Sequence, residues 1–378
     1  MDLTRYALDG VTPARAESPG TAEDVSALIG GAHRARETIV LHGGGTRIGI
    51  GDAPSRYDTA VDLRELHGVV EHSAPDLVCI VRAGTTLAEL AAALAPSRQR
   101  WPVDAPEPER ATIGGTIASA APAASRLRHQ HVRDWVIGCQ AVLGDGTLVR
   151  AGGRVVKNVT GYDLSRLYSG SYGTLAAITE VSLKLIAIDE RTRTMRLRGE
   201  RSALERIALE LRAALPLEAI VLATGDQPAL YVRAAGLGAA VDRIAPEVGA
   251  RGAFEDITDA EWSALSARVT REPFVARLAL PPGREAALID GDAVAYVGAG
   301  TAFLFGERTG AAITAIGSAP RRWAVRWSLS ARRPSRSTPS ACGETLAPHI
   351  LRSPLRSRRV STRAAFSHPA DSPLSVFV

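Results

Sequence analysis

The run Ile39–Gly51, IVLHGGGTRIGIG, constrains this chain more than any other stretch of it. An Ile-Val-Leu strand passes through His42 straight into Gly43, Gly44 and Gly45. A strand is held by its side chains, and each glycine costs roughly 0.5–1 kcal/mol of backbone entropy in a regular element. Such a break is retained where the main chain needs positive φ or where another group lies against it. Successive N–H groups in a turn of this kind form a concave nest for anionic oxygen, most often phosphate. One reading is therefore a pyrophosphate cradle made by Gly43, Gly44, Gly45 and Thr46; the other is a tight turn between two elements. The spacing is not GxGxxG, so a Rossmann dinucleotide site is not indicated.

A second glycine cluster lies in ATIGGTIAS, where Thr112, Gly114 and Gly115 precede a helix of small residues. Between the clusters, VRAGTTLAEL closes a strand at Ala83–Gly84 and opens a helix on a threonine cap. Upstream of the first, TAEDVSALIGGAHRA reads as a helix capped by Thr21, with Val25, Leu28 and Ile29 on one face. YDTAVDL, LVCIVRAG, WVIGCQAVLGDGTLVRAGG and LAAITEVSLKLIA read as strands, and Asp-Gly in LGDGTLV predicts a hairpin with a primed turn. From about residue 190, TRTMRLRGE, a helix over 202–214, AIVLATG, PALYVRA and a helix around 239–248 predict strands under helices of the split βαβ type.

The net charge of +5 invites a nucleic-acid reading, but its placement argues against one. From Arg321 onward there are eleven arginines against Glu344 and Asp371, which leaves residues 1–320 at −4. The body is not a basic domain that grips phosphate backbones. The basic stretch itself, SARRPSRSTPSACGETLAPHILRSPLRSRRVSTR, shows no sustained period and predicts an irregular, low-complexity tail over 321–378. It reads either as disordered or as the product of a shifted reading frame in a GC-rich gene. Cys79, Cys139 and Cys342 have no zinc, iron–sulfur or disulfide spacing, so reduced thiols and no metal are expected. The N-terminus lacks the pattern of a signal peptide, and no apolar run approaches the ~18 residues of a membrane span.

In this order the blocks HGGGT, ATIGG, HVRDWVIGCQAVLGDGTLV and SGSYGTLAAITEVSLKL resemble the FAD-binding domain of the vanillyl-alcohol oxidase / p-cresol methylhydroxylase (PCMH) type. GGRVVKNVTGYDLSRL is similar to the FAD-binding subunit of bacterial glycolate oxidases. The resemblance covers roughly residues 5–320. It implies an α+β fold with a first FAD-binding subdomain over 1–56 and a second over 57–188. A ferredoxin-like α+β cap would follow over 189–320. It implies that Gly43, Gly44, Gly45, Thr46 and Arg47 hold the FAD pyrophosphate, and that Thr112, Ile113, Gly114 and Gly115 form the second wall of the cleft. Val132, Arg133 and Asp134 would approach the flavin or ribityl chain through their backbone, and Gly173, Thr174 and Ile178 would lie near the adenine or flavin pocket. Relatives that tether flavin do so through a histidine in the first loop; Gly44 and Gly45 stand there instead, so FAD is expected to be non-covalent. The activity implied is hydride transfer from a small 2-hydroxy acid. The chain would act as a cytoplasmic member of a complex with a related FAD-containing catalytic subunit and an iron–sulfur subunit. Any membrane contact would be made through those partners.

Two departures from the family pattern keep other functions open. Ala120–Ala124 replaces a polar, glycine-bearing loop, and nothing in 321–378 matches the segment that normally returns to the flavin. A non-catalytic flavin-binding or assembly subunit and a stand-alone FAD oxidase of another alcohol or sugar acid are the alternatives. No catalytic residue is assigned. Lys157, Asn158, Tyr162 and Asp163 read as a turn with packing rather than a catalytic quartet, and His42, His67, His72, His129 and His131 as surface or hydrogen-bonded histidines.

Overall fold

The structure, a computed structural model, describes residues 2–50, 54–153, 163–272, 274–289, 291–306, 326–331 and 376–377. The chain begins with β1 (Arg15–Glu17), α1 (Ala22–Ala35), β2 (Ile39–His42) and β3 (Thr59–Asp62). Thr21 caps α1 in a reciprocal box with Asp24, worth about 1 kcal/mol, and Val25 and Ile29 face inward as the sequence period predicts. The first sheet is parallel, in the order β1-β3-β2, with β3 inserted between the two earlier strands. The strand in YDTAVDL therefore pairs with β1 and β2 rather than with the later strands. All four residues of β3 are buried, and a strand buried on both faces carries no alternation that would assign it to one sheet or another.

The second unit contains β4 (Val69–Ser73), β5 (Val78–Arg82), α2 (Leu87–Leu94), β6 (Gln99–Arg100), α3 (Ile113–Ala118) and α4 (Arg126–His129). It continues with β7 (Val136–Leu143), β8 (Leu148–Gly152), α5 (Leu164–Tyr168), β9 (Ala176–Lys184) and β10 (Ile186–Ala187). Its main sheet is antiparallel, ordered β4-β5-β9-β7-β8. The β7–β8 hairpin forms where Asp-Gly predicts it, but only Gly146 has positive φ (+90°) and its amide donates to Leu143 O at 2.9 Å. The turn is thus not primed, because Asp145 stays at negative φ. Its tip is fitted to α1: the Ser26 hydroxyl donates to Gly146 O at 2.5 Å, and a Cβ on Gly146 would stand 2.8 Å from Gly30 Cα. That contact joins the two units.

The cap starts with β11 (Arg191–Arg198), α6 (Arg201–Ala214), β12 (Ala219–Ala223), β13 (Ala229–Gly236), α7 (Gly238–Gly249) and β14 (Glu255–Asp256). Its strands lie in the order β14-β11-β13-β12, the ferredoxin-like arrangement. After α8 (Asp259–Arg271) come β15 (Phe274–Ala279), β16 (Ala293–Tyr296), β17 (Thr301–Phe305) and β18 (Arg326–Ala331). They repeat that order as β18-β15-β17-β16, and the two halves join edge to edge through β12 and β16 into one eight-stranded sheet. Strand pairing at β18, and between β19 (Val376–Phe377) and β2, stands where composition predicts an irregular tail. The alternation in RWSLSA supplies the β18 pattern, and β15 offers it an edge. One cap core lies against α6 and α7, and the other against α8 and Ala124 of the second unit.

A buried ionic cluster ties the cap to the second unit. Glu218, 4% exposed, is approached by Arg100 Nη2 at 2.9 Å, Arg233 Nε at 3.2 Å and His129 Nε2 at 3.3 Å. Burial alone would raise its pKa, but these three partners hold the carboxyl down at about 2.

Candidate functional site

The two glycine turns are packed on each other. A Cβ on Gly43 would lie 2.5 Å from the Thr112 hydroxyl, and one on Gly44 only 1.6 Å from Arg110 O. Gly45 sits at φ +69°. Arg110 closes the contact by donating from Nη2 to Gly44 O at 3.2 Å. Here the absent side chains serve close backbone approach, with only Gly45 needed for its φ.

A groove of about 680 Å³ opens along this contact. It is lined by Gly43, Gly44, Gly45, Thr46 and Arg47 from the first turn, Thr112, Gly114 and Gly115 from the second, Gly173 from the segment leading into β9 and Ile178 from β9 itself. Sequence reasoning missed Leu41, Ile48, Leu63, Ala83, Ala118, Ser119 and Ala176, which supply the apolar walls. Their signal is adjacency alone, since each flanks a glycine turn or ends a strand.

Other residues expected at the site face elsewhere. Ile113 and Val132 are buried in the core of the second unit. Consecutive helical residues point about 100° apart, so Gly114 and Gly115 meet the groove while Ile113 turns inward. Arg133 and Thr174 are exposed, and the Thr174 hydroxyl donates to Ser171 O at 2.6 Å. Asp134 accepts from the His131 amide at 3.2 Å and lies 3.5 Å from Arg166. Lys157, Asn158 and Tyr162 lie outside the described residues.

The two turns offer different chemistry. In the second, every amide at the start of α3 is spent: Ile113 N donates to Thr85 O, Gly114 N to Ala83 O, Gly115 N to the Thr112 hydroxyl and Thr116 N to Thr112 O. In the first, the amides of Gly44, Gly45, Thr46 and Arg47 make no hydrogen bond among the described residues. Donors for an anion therefore come from the first turn, and the second is a rigid wall. Arg47 adds a cation whose Nη2 is buried without a partner. Burial, and Arg277 nearby, lower its pKa to about 10, so it stays charged at neutral pH in a place that favours a counter-anion. Free amides beside an orphaned guanidinium fit a diphosphate well.

Behind the cradle, His42 is 6% exposed and its Nε2 meets the Tyr57 hydroxyl. Burial pushes its pKa down to about 4, so the ring is neutral. A second cleft, about 1140 Å³, separates the second unit from the cap and is lined by Trp101, Pro122, Ala123, Ala124, Trp262 and Tyr296 among others. The Ala120–Ala124 loop thus forms part of the domain junction.

Comparison with known proteins agrees with this geometry. The model of the FAD binding domain family matches residues 13–152. The chain is 42% identical over 127 residues to the glycolate oxidase subunit GlcE of Escherichia coli, covering 33% of this chain and 36% of that protein. It is 30% identical over 178 residues to the glycolate oxidase subunit GlcD of Bacillus subtilis, covering 47% and 38%. The matched region spans less than two fifths of either relative's length. Among solved structures, alkyldihydroxyacetonephosphate synthase superposes with a TM-score of 0.59 at 16% identity, covering 76% of this chain and 62% of the other. That likeness extends the shared fold beyond the matched segment. Residues 13–152 of the chain are thus similar to the FAD binding domain family.

Proposed function

We propose that the chain is a FAD-binding subunit of a glycolate-oxidase-like 2-hydroxy-acid dehydrogenase, with its FAD held non-covalently. The observation that carries this reading is the junction of the two glycine turns, with four free amides and the unpartnered Arg47 guanidinium facing one groove. Gly44, Gly45, Thr46 and Arg47 would hold the diphosphate through their amides, Arg47 would neutralise it, and Thr112, Gly114 and Gly115 would close the opposite wall. Bound there, FAD supplies the acceptor for the hydride of a 2-hydroxy acid, which leaves as the 2-oxo acid. Non-covalent binding is supported by the first turn itself, which carries no histidine after His42, and by the burial of His42 against Tyr57. The names of the two bacterial relatives, each a subunit of a glycolate oxidase, support membership of a multi-subunit complex; our reading adds a related flavoprotein that holds the principal catalytic site and an iron–sulfur subunit that receives electrons.

The Ala120–Ala124 loop favours a second reading, a flavin-binding subunit that assembles the complex without turnover, because the loop packs at the domain junction. Colour and bleaching separate the two. Purified protein should be yellow and release all its flavin on heating or acid treatment. Bleaching of its own flavin by glycolate, alone or in the complex, supports the first reading, and a flavin that stays oxidised while the partner turns over supports the second. A folded, colourless protein that takes up no added FAD refutes both.

A further inference from the structure

Beyond the cradle, three arginines converge where the cap meets the FAD-binding units. Strand period two places Arg277 of β15, Thr301 of β17 and Tyr296 of β16 on one face of the cap sheet, together with Val275 and Phe303. Across the junction stand Arg47, Arg126 of α4 and Tyr172. Two hydrogen bonds cross in opposite directions: Arg126 Nη1 donates to the Thr301 hydroxyl at 3.3 Å, and Arg277 Nη1 to the Tyr172 hydroxyl at 3.4 Å. Both are long for charged donors.

Negative charge at the cluster is sparse: Asp134 acts on Arg126, and Glu107, which pairs with Arg110 at 2.7 Å, acts on Arg47. Among the described residues no ion pair is formed by Arg47, Arg126 or Arg277, and Arg126 Nε is buried without a partner. Asp134, the carboxylate that acts on Arg126, is occupied by Arg166 and the His131 amide. His131 brings no charge, because its Nε2 accepts from Arg126 Nη2 at 2.6 Å and burial, with Arg126 beside it, lowers its pKa to about 4. Burial and Arg277 likewise lower the pKa of Arg126 to about 10. The backbone around the cluster is also held in unusual conformations. Tyr172 has φ +53° and Gln130, between His129 and His131, has φ +62° and ψ −147°. Non-glycine residues in such conformations store strain and concentrate at ligand sites. Half-buried guanidinium groups without ion pairs, two of them with a buried orphaned nitrogen, make a domain junction a site for a planar anion.

We propose that Arg126, Arg277 and Tyr172 form a carboxylate site between the cap and the FAD-binding units, which takes the carboxylate of a small 2-hydroxy acid. Arg47 stays with the diphosphate, and its charge separates the two anions. The identity of the ligand as a 2-hydroxy acid rests on the function proposed above; the anion site itself does not.

The test is calorimetric titration of the purified holoprotein with oxamate, a small carboxylate that cannot be oxidised at an α-C–H, and with the neutral amide of glycolate. Flavin content is measured separately by absorbance. Wild type should bind oxamate and not the amide. Arg126→Gln and Arg277→Gln should each weaken oxamate about 10- to 100-fold while keeping their flavin, and Arg277→Lys should recover part of the loss. Unchanged oxamate affinity in folded variants overturns the proposal, as does equal binding of the amide. Flavin lost in step with oxamate also overturns it, because the arginines would then serve the cofactor. If Arg126→Gln does not fold, the Arg277 pair decides the question by the same readout. Wild type that binds oxamate but no flavin would remove the FAD reading and leave the carboxylate site standing.

Discussion

Gly44→Ala is the most demanding single test of the cradle. The added methyl would be built 1.6 Å from Arg110 O and 2.5 Å from Arg110 C, both main-chain atoms. Ordinary contact between such atoms is about 3.5 Å, so the turns must separate by about 2 Å. Arg110 cannot yield by rotating a side chain, and its amide and that of Ala111 are already tied to Glu107 O at 2.9 and 2.8 Å. Overpacking of this kind costs roughly 1–3 kcal/mol in the folded protein. The separation also misplaces amides whose hydrogen bonds to a charged phosphate are worth ~1.5–3 kcal/mol each. Loss of one such contact together with part of the strain predicts FAD affinity lower by about 2–4 kcal/mol, roughly 30- to 1,000-fold. The assay is flavin per polypeptide after desalting, followed by fluorescence titration of the apoprotein with FAD. Gly31→Ala is the control, since a Cβ there meets nothing within 4 Å on a helix that favours alanine. Gly44→Ala protein that is folded and carries stoichiometric FAD would refute the cradle assignment.

Two further perturbations follow from buried charge. His42 has a folded pKa of about 4 against 6.5 when unfolded, so the unfolded chain binds the additional proton between those values. Its stabilising contribution is complete above pH 6.5 and is lost as pH falls toward 4, with a slope of at most ~1.4 kcal/mol per pH unit. Urea unfolding between pH 4.5 and 7 should therefore show a slope shallower by up to one proton in His42→Gln, and an unchanged slope would show that the ring titrates normally. Glu218→Ala removes the buried carboxylate shared by Arg100, Arg233 and His129, although Asp189 stays 2.7 Å from Arg100 and Asp259 3.7 Å from Arg233, and should destabilise the protein by about 3 kcal/mol in urea unfolding; a loss under 1 kcal/mol would mean the cluster is solvated.

The features legible in the sequence are those where one residue type leaves few alternatives. Three successive glycines after a strand demand bare backbone, and a Thr–x–x–Asp or Thr–x–x–Glu pair before an apolar period marks the starts of α1 and α2. The βαββα order of the first cap half followed from its alternating periods, while the two-residue β14 carried no signal. The sheet to which β3 belongs was not legible, because parallel pairing is decided by distant partners. That the side chains of Ile113 and Val132 point into the core was not legible for a related reason: a motif fixes where the backbone goes, while local geometry decides which side chain faces the groove. Arg126 and Arg277 carried no signal. They are 151 positions apart, and a lone arginine in FVARLAL reads as a surface residue until the sheet face behind it is known.

The second turn is suspended from main-chain bonds: Ile113 and Gly114 donate to Thr85 and Ala83, and Leu87 donates back to Ala111. Its shape is consequently independent of most side chains around it, provided the glycines remain. A chain built this way could exchange the residues proposed to meet an anion, on the cap and along α4, without recasting the platform on which the cofactor would rest.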